Sequence, residues 1–193
     1  MISSFTGFID ANVFFGARLR SLLMELAMTG LFRARWSEDV HREWMEAVAS
    51  RRGIEVSALE RTRRAMDRAV PDCLATGYED QISGYTLPDP DDRHVLAAAV
   101  ACGADAIVTF NETDFPAGAL EKHEIQCVHP DDFILDIHSL SVGLFVEAVA
   151  ADLSHYKQPP ISFEDYVADL ERAGIPKTAA QIRALRVLIE PVF

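Results

Sequence analysis

The stretch Leu87-Pro88-Asp89-Pro90-Asp91-Asp92-Arg93-His94-Val95-Leu96-Ala97-Ala98-Ala99-Val100-Ala101-Cys102-Gly103-Ala104-Asp105-Ala106-Ile107-Val108-Thr109-Phe110 decides the architecture. Asp89 suits a helix N-cap and Pro90 the first helical position, where its missing N–H costs nothing. The helix then runs to about Cys102 and stops at Gly103, a residue that readily takes the left-handed conformation. Ala104–Phe110, with Ile107 and Val108, is apolar on both alternating faces and reads as a buried strand.

The same alternation extends outward. Phe5–Ile9 reads as a short strand, Leu19–Met28 as a helix ending at Gly30, and Leu31–Arg35 as a strand. Ser37 caps a helix that runs through about Arg52 to Gly53, with Glu38 and Asp39 complementing its dipole. Val56–Val70 reads as helical, residues 72–88 fit no pattern, Ile125–Val128 reads as a strand, and Pro130 opens a short helix through Leu135. Strands alternating with helices predict an α/β fold: a central parallel sheet between two helical layers. After about His138 the pattern becomes purely helical, over roughly 140–155, 162–173 and 177–189. The expected organisation is therefore a domain over 1–138 and a C-terminal all-helical extension over 139–193.

Composition narrows the function. Half the 193 residues are apolar, so the chain can bury a core. There is no apolar run of membrane-spanning length, and Met1-Ile2-Ser3-Ser4 lacks the basic start of a signal peptide, so a cytoplasmic protein is expected. Cys73, Cys102 and Cys127 are an odd number and widely spaced, as expected of reduced thiols. The net charge of −12 excludes binding nucleic acid over the whole surface. Residues 1–93 nevertheless hold 12 of the 18 basic side chains, and arginine outnumbers lysine fifteen to three. The cluster from Arg33 to Arg68 suits a local phosphate-binding rim, arginine being a bidentate phosphate donor.

Certain carboxylates stand in unusual places. Asp10 follows the first strand directly, and ligand sites of open parallel sheets form at such carboxyl ends. In the helix from Ser37 the apolar stripe is 40, 43, 44, 47, 48, and Glu43 is its non-apolar member. Asp92 heads a stripe containing Val95, Leu96 and Ala99, though Asp91, ~100° away around the helix, is near its other edge and periodicity does not choose between them. Asp114 lies beyond the carboxyl end of the Ala104–Phe110 strand, whereas Asp105 begins that strand and is excluded. Carboxylates without a Cys or His ligand pattern suit a hard cation, Mg²⁺ or Mn²⁺.

Four segments in order now resemble the PIN-domain nucleases. Phe8-Ile9-Asp10-Ala11-Asn12-Val13 is similar to their opening motif. Trp36-Ser37-Glu38-Asp39-Val40-His41-Arg42-Glu43 is similar to the second, whose helix supplies a glutamate. Leu87 to Ala99 closely resembles the third, with the acid at Asp92, and Val108-Thr109-Phe110-Asn111-Glu112-Thr113-Asp114-Phe115 the fourth. The match covers about residues 5–135, and the helical tail resembles a subgroup of VapC-type toxins of bacterial toxin–antitoxin pairs. The resemblance implies an Mg²⁺- or Mn²⁺-dependent endoribonuclease that leaves a 5′-phosphate and a 3′-hydroxyl, is inhibited by a cognate antitoxin, and is often a homodimer. It implies Asp10, Glu43, Asp92 and Asp114 as catalytic, with Asp10, Asp92 and Asp114 on the metal. Many relatives carry aspartate where this chain has Asn111, so the fourth acid is assigned to Asp114.

Asn12, Thr109 and Asn111 are expected behind the metal ligands, and Arg61, Arg63, Arg64 and Arg93 on the RNA. Two other functions compete: a degenerate PIN-fold scaffold, and a haloacid-dehalogenase-like phosphatase. The phosphatase reading is opposed by Asn12 in the place of its second aspartate and by the settings of Lys122, Lys157 and Lys177.

Overall fold

The chain runs β1 (Thr6–Ile9), α1 (Ala17–Met28), β2 (Arg33–Arg35), α2 (Glu38–Arg52), α3 (Glu60–Ala69), α4 (Arg93–Ala101), β3 (Ala106–Val108), α5 (Ala117–Leu120), β4 (Gln126–Val128), α6 (Pro130–Leu140), α7 (Val142–Ser154), α8 (Phe163–Arg172), α9 (Pro176–Ala184) and α10 (Arg186–Ile189). This is a computed structural model, and it describes residues 5–157 and 159–190. The expectation for Met1–Ser4 lies outside them. The four strands form one sheet in the order β2-β1-β3-β4, every pair parallel.

Every residue of β1 and β3 is buried. Successive strand residues point to opposite faces, so both faces of the sheet centre are covered. From β1 the chain first adds β2 on one side and later returns to add β3 on the other. The strand order thus reverses between β1 and β3, and a crevice opens at their carboxyl ends.

Local chemistry sets the helix limits. Ser37 accepts from the Val40 N–H at 3.2 Å, and Gly53 closes α2 at φ +63°. Asp89 accepts from the Asp91 N–H, but Pro90–Asp92 wind as a 3-10 turn and the α-helix begins only at Arg93. Val56–Leu59, expected within one helix, also wind as a 3-10 turn: no side chain caps this end, and the tighter turn satisfies the free N–H groups.

The strand expected over Ala104–Phe110 is shorter. Its end is cut by side chains, because the Phe110 N–H donates to Asn12 Oδ1 at 3.1 Å. Within the unpatterned 72–88 segment, the Trp36 N–H donates to the Cys73 carbonyl and the Ala75 N–H to the Trp36 carbonyl across an isolated bridge to Leu74, which extends the outer edge of β2.

The helix expected from Pro130 to Leu135 continues to Leu140, where Ser141 ends it and caps α7. Position 138/139 therefore falls inside α6. In the extension, Phe145 and Val149 are fully buried as α7 packs on α1 and α6, while Val142 remains exposed. Asp131, 2% exposed in the first turn of α6, accepts the N–H groups of Lys177 (2.9 Å) and Thr178 (2.7 Å) at the start of α9.

Candidate active site

Asp10 ends β1 at the crevice and is 4% exposed. Three donors converge on it. The Ala11 N–H reaches Oδ1, while Asn12 Nδ2 and Thr109 Oγ1 both reach Oδ2, each at 2.6 Å. Thr109 Oγ1 in turn accepts from Asn12 Nδ2 at 2.8 Å and from the Asn111 N–H at 3.0 Å. The ends of β1 and β3 are thereby sewn together around one carboxylate. Asn12 and Thr109 touch Asp10 directly, whereas Asn111 contributes its backbone and leaves its side chain exposed. Burial raises the proton affinity of Asp10, the Thr109 and Ala11 donors lower it, and Glu43 raises it again.

Asp92 is half-buried, whereas Asp89 and Asp91 are exposed. Its pKa is pushed up to about 7, first by burial and then by the charges of Asp10 and Asp114. Three segments far apart in sequence therefore deliver mutually repelling carboxylates to one place. Asp105 sits at the opposite end of β1, where its Oδ2 accepts the Thr6 N–H at 2.6 Å.

Glu43 is brought close to Asp10 and meets His94, a residue the motif reasoning passed over. His94 Nε2 lies 2.7 Å from Glu43 Oε1, off the line of an aligned hydrogen bond, and Nδ1 has no hydrogen-bond partner among the described residues. Burial lowers the pKa of His94, but the carboxylates of Glu43, Asp39 and Asp10 together more than offset this and the net direction is upward. A signal for His94 was present in the sequence. The run His94–Ala99 is buried all round, as the unbroken apolar stretch after His94 implies, so a polar side chain at its start is buried with it.

The arginines are less concentrated than the site acids. Arg63 pairs with Glu38 (2.5 Å) and Glu60 (3.6 Å), and Arg64 with Glu60 (3.7 Å). Arg61 is exposed on the same helix, and Arg93 is half-buried beside Asp92, its Nε without a partner among the described residues. The Cys73 and Cys127 thiols are pushed up to about 12 and that of Cys102 is raised, each mainly by burial, so all three stay protonated.

Among the described residues no group of three or more Asp, Glu, His or Cys side chains is set to hold a metal ion. Mg²⁺ does not require one: it keeps several waters and takes one or two carboxylates. The all-oxygen donor set and the carboxylate repulsion that lifts Asp92 fit a hard divalent cation. Among the described helices none is long and apolar enough to cross a membrane.

Comparison with known proteins agrees with this geometry. The PIN domain family matches residues 7–113, and the VapC50 C-terminal domain matches residues 130–184. The chain is 38% identical over 116 residues to a Mycobacterium tuberculosis protein named "Putative ribonuclease VapC50"; the match covers 58% of this chain and 65% of that protein. No solved structure matches. With residues 7–113, from β1 through β3, matching its model, the chain belongs to the PIN-domain family, and its C-terminal helices are similar to the C-terminal domain of VapC50.

Proposed function

We propose that this protein is an Mg²⁺- or Mn²⁺-dependent endoribonuclease acting as the toxin of a toxin–antitoxin pair. The observation that carries the reading is the crevice at the carboxyl ends of β1 and β3, where Asp10 is buried and Asp92 half-buried, with burial and the charges of Asp10 and Asp114 pushing the Asp92 pKa up. A fold does not gather like charges in a half-buried crevice for stability, since each raises the cost of ionising the next. Asp10, Asp92 and Asp114 would hold a divalent cation directly or through water, and it would supply charge neutralisation and an acidified water.

The chain's own groups do the rest. Asn12 and Thr109 fix the Asp10 carboxylate in one orientation, as groups behind metal ligands do. Glu43, with Oε1 facing His94, would complete the acidic cluster or orient the attacking water. Arg93, beside Asp92, would meet a phosphate of the RNA, and Arg61, Arg63 and Arg64 would contribute to the basic rim. Charge reversal of these last three should weaken RNA binding more at low salt than at high.

The test is cleavage of a mixed RNA pool with EDTA, Mg²⁺ or Mn²⁺, run beside Asp92→Asn. Metal-dependent cuts that vanish in the variant support the reading. The lack of such a metal-holding group among the described residues favours the scaffold alternative, and a folded, antitoxin-free protein that neither cleaves nor binds Mn²⁺ would establish that alternative.

A further inference from the structure

We infer that His94 is a positioning residue, which holds Glu43 turned inward against the acid cluster and so sets the fourth carboxylate of the site. The inference rests on the ribonuclease reading and adds to it a residue outside the four acidic motif positions.

Glu43 lies at the edge of the buried stripe of α2, and its side chain is 36% exposed. A glutamate in that position has rotamers that reach water, and hydration favours them. Two features oppose that escape. The side chain of His94 is 9% exposed, so the helix and its neighbours fix the ring, and its Nε2 stands 2.7 Å from Glu43 Oε1. The cation nearest to Glu43 in sequence is committed elsewhere, since Arg42 pairs with Asp39 at 2.6 Å.

The groups facing His94 are Glu43 and Asp39 from α2, Asp10 from the end of β1 and Asp92 from its own element, all carboxylates. The imidazole is thus a buried ring whose Nε2 stands 2.7 Å from one of these carboxylates, that of Glu43. Its position is costly for the fold, because Nδ1 has no partner among the described residues and the Nε2 contact is poorly aligned. Core packing would be served as well by leucine at this position, which would leave no orphaned nitrogen. The contact also joins α2 to α4 across the crevice, linking the glutamate of one segment to the aspartate of another.

The experiment is a double-mutant cycle on the full chain with His94→Leu, His94→Gln, Glu43→Gln and the combination of His94→Leu with Glu43→Gln. Cleavage of RNA gives kcat and KM, and Mn²⁺ binding followed by electron paramagnetic resonance gives a readout that needs no activity. His94→Leu is expected to lower kcat by about tenfold or more, the scale of losses behind metal ligands, with KM little changed. It should weaken Mn²⁺ binding to the extent that Glu43→Gln does. His94→Gln, which keeps a donor near the Nε2 position, should recover most of both. In the Glu43→Gln background, His94→Leu should cost nothing further.

Additive losses in kcat and Mn²⁺ affinity, or a His94→Leu variant as active as the parent, would overturn the inference. If His94→Leu fails to fold, His94→Gln decides, because near-parental behaviour is required of it. A parent that cleaves no RNA while the Mn²⁺ cycle stays coupled would sink the ribonuclease reading and leave the positioning intact. An active parent with an uncoupled cycle would do the reverse.

Discussion

Buried carboxylates occur in two regions of this molecule and are treated in opposite ways. In the extension, Asp152 is fully buried and surrounded by donors: Ser21 Oγ, Tyr166 OH at 2.7 Å and Tyr156 OH at 3.4 Å. Asp131 likewise takes two backbone N–H groups from α9. At the sheet's carboxyl end, Asp92 is only half-buried, yet it faces Asp10 and Asp114, and the His94 charge is the opposing influence. Burial with donors makes a carboxylate a structural fastening. Burial beside other acids raises the cost of its ionisation. The degree of burial alone does not separate the two cases, but the identity of the neighbours does.

The contrast is broken most forcefully by Asp92→Asn. On the proposed ribonuclease reading, loss of this charged group should lower cleavage by on the order of 10²–10³-fold, while the metal-free protein at pH 8 becomes more stable in urea. Reduced stability together with retained cleavage would place Asp92 among the fastenings. The reciprocal change, Asp152→Ala, leaves the Ser21 and Tyr166 hydroxyls without their acceptor. It should cost about 2–4 kcal/mol in urea unfolding and spare cleavage per folded molecule.

The pH dependence sharpens the comparison. The folded pKa of Asp92, about 7, stands above its ordinary value of 3.8. The native protein therefore holds a proton that the unfolded chain has released, and this stabilisation is full below the ordinary value and is lost as pH rises through 7. In EDTA, urea unfolding should show stability falling from pH 4 to pH 8, with a shallower fall for Asp92→Asn. Mn²⁺ should restore the loss at pH 8. Asp10 and Asp152 are also raised, so the difference between the two proteins, rather than the parent's slope, is the measurement.

The smallest effect tests whether the two regions are separable. Gly174 has φ +90°, and a Cβ there would lie 2.9 Å from Phe110 Cε1. Gly174→Ala should cost about 1–2 kcal/mol and, because the Phe110 N–H is held by Asn12, also lower cleavage a few-fold. Unchanged cleavage in a destabilised variant would show that the extension does not reach the acids.

The fold was legible because its boundaries are written locally. Ser37 and Gly53 bracket α2, Asp89 and Gly103 bracket the third-motif helix, and the apolar Ala106–Val108 run is buried as its composition requires. The candidate acids were legible because they follow strands or interrupt stripes. What escaped depends on partners distant in sequence. Nothing near Asp152 announces Ser21, 131 residues away, and nothing near His94 announces Glu43. Asp91 and Asp92 could be ranked by motif resemblance but not by periodicity, because consecutive helical residues flank the same stripe. The 3-10 turn over Pro90–Asp92 changes that spacing as well.

The Asp131 fastening has a consequence for hydrogen exchange. First-turn amides of a helix ordinarily lack an intrahelical acceptor and exchange quickly with solvent. Those of Lys177 and Thr178 are instead held by a carboxylate from the start of α6, one residue beyond the proline that follows β4 and His129. Their exchange rates therefore report the separation of α9 from the edge of the sheet rather than fraying of a terminal helix. Two amide signals give a direct gauge of how often the extension lets go of the domain that carries the acids.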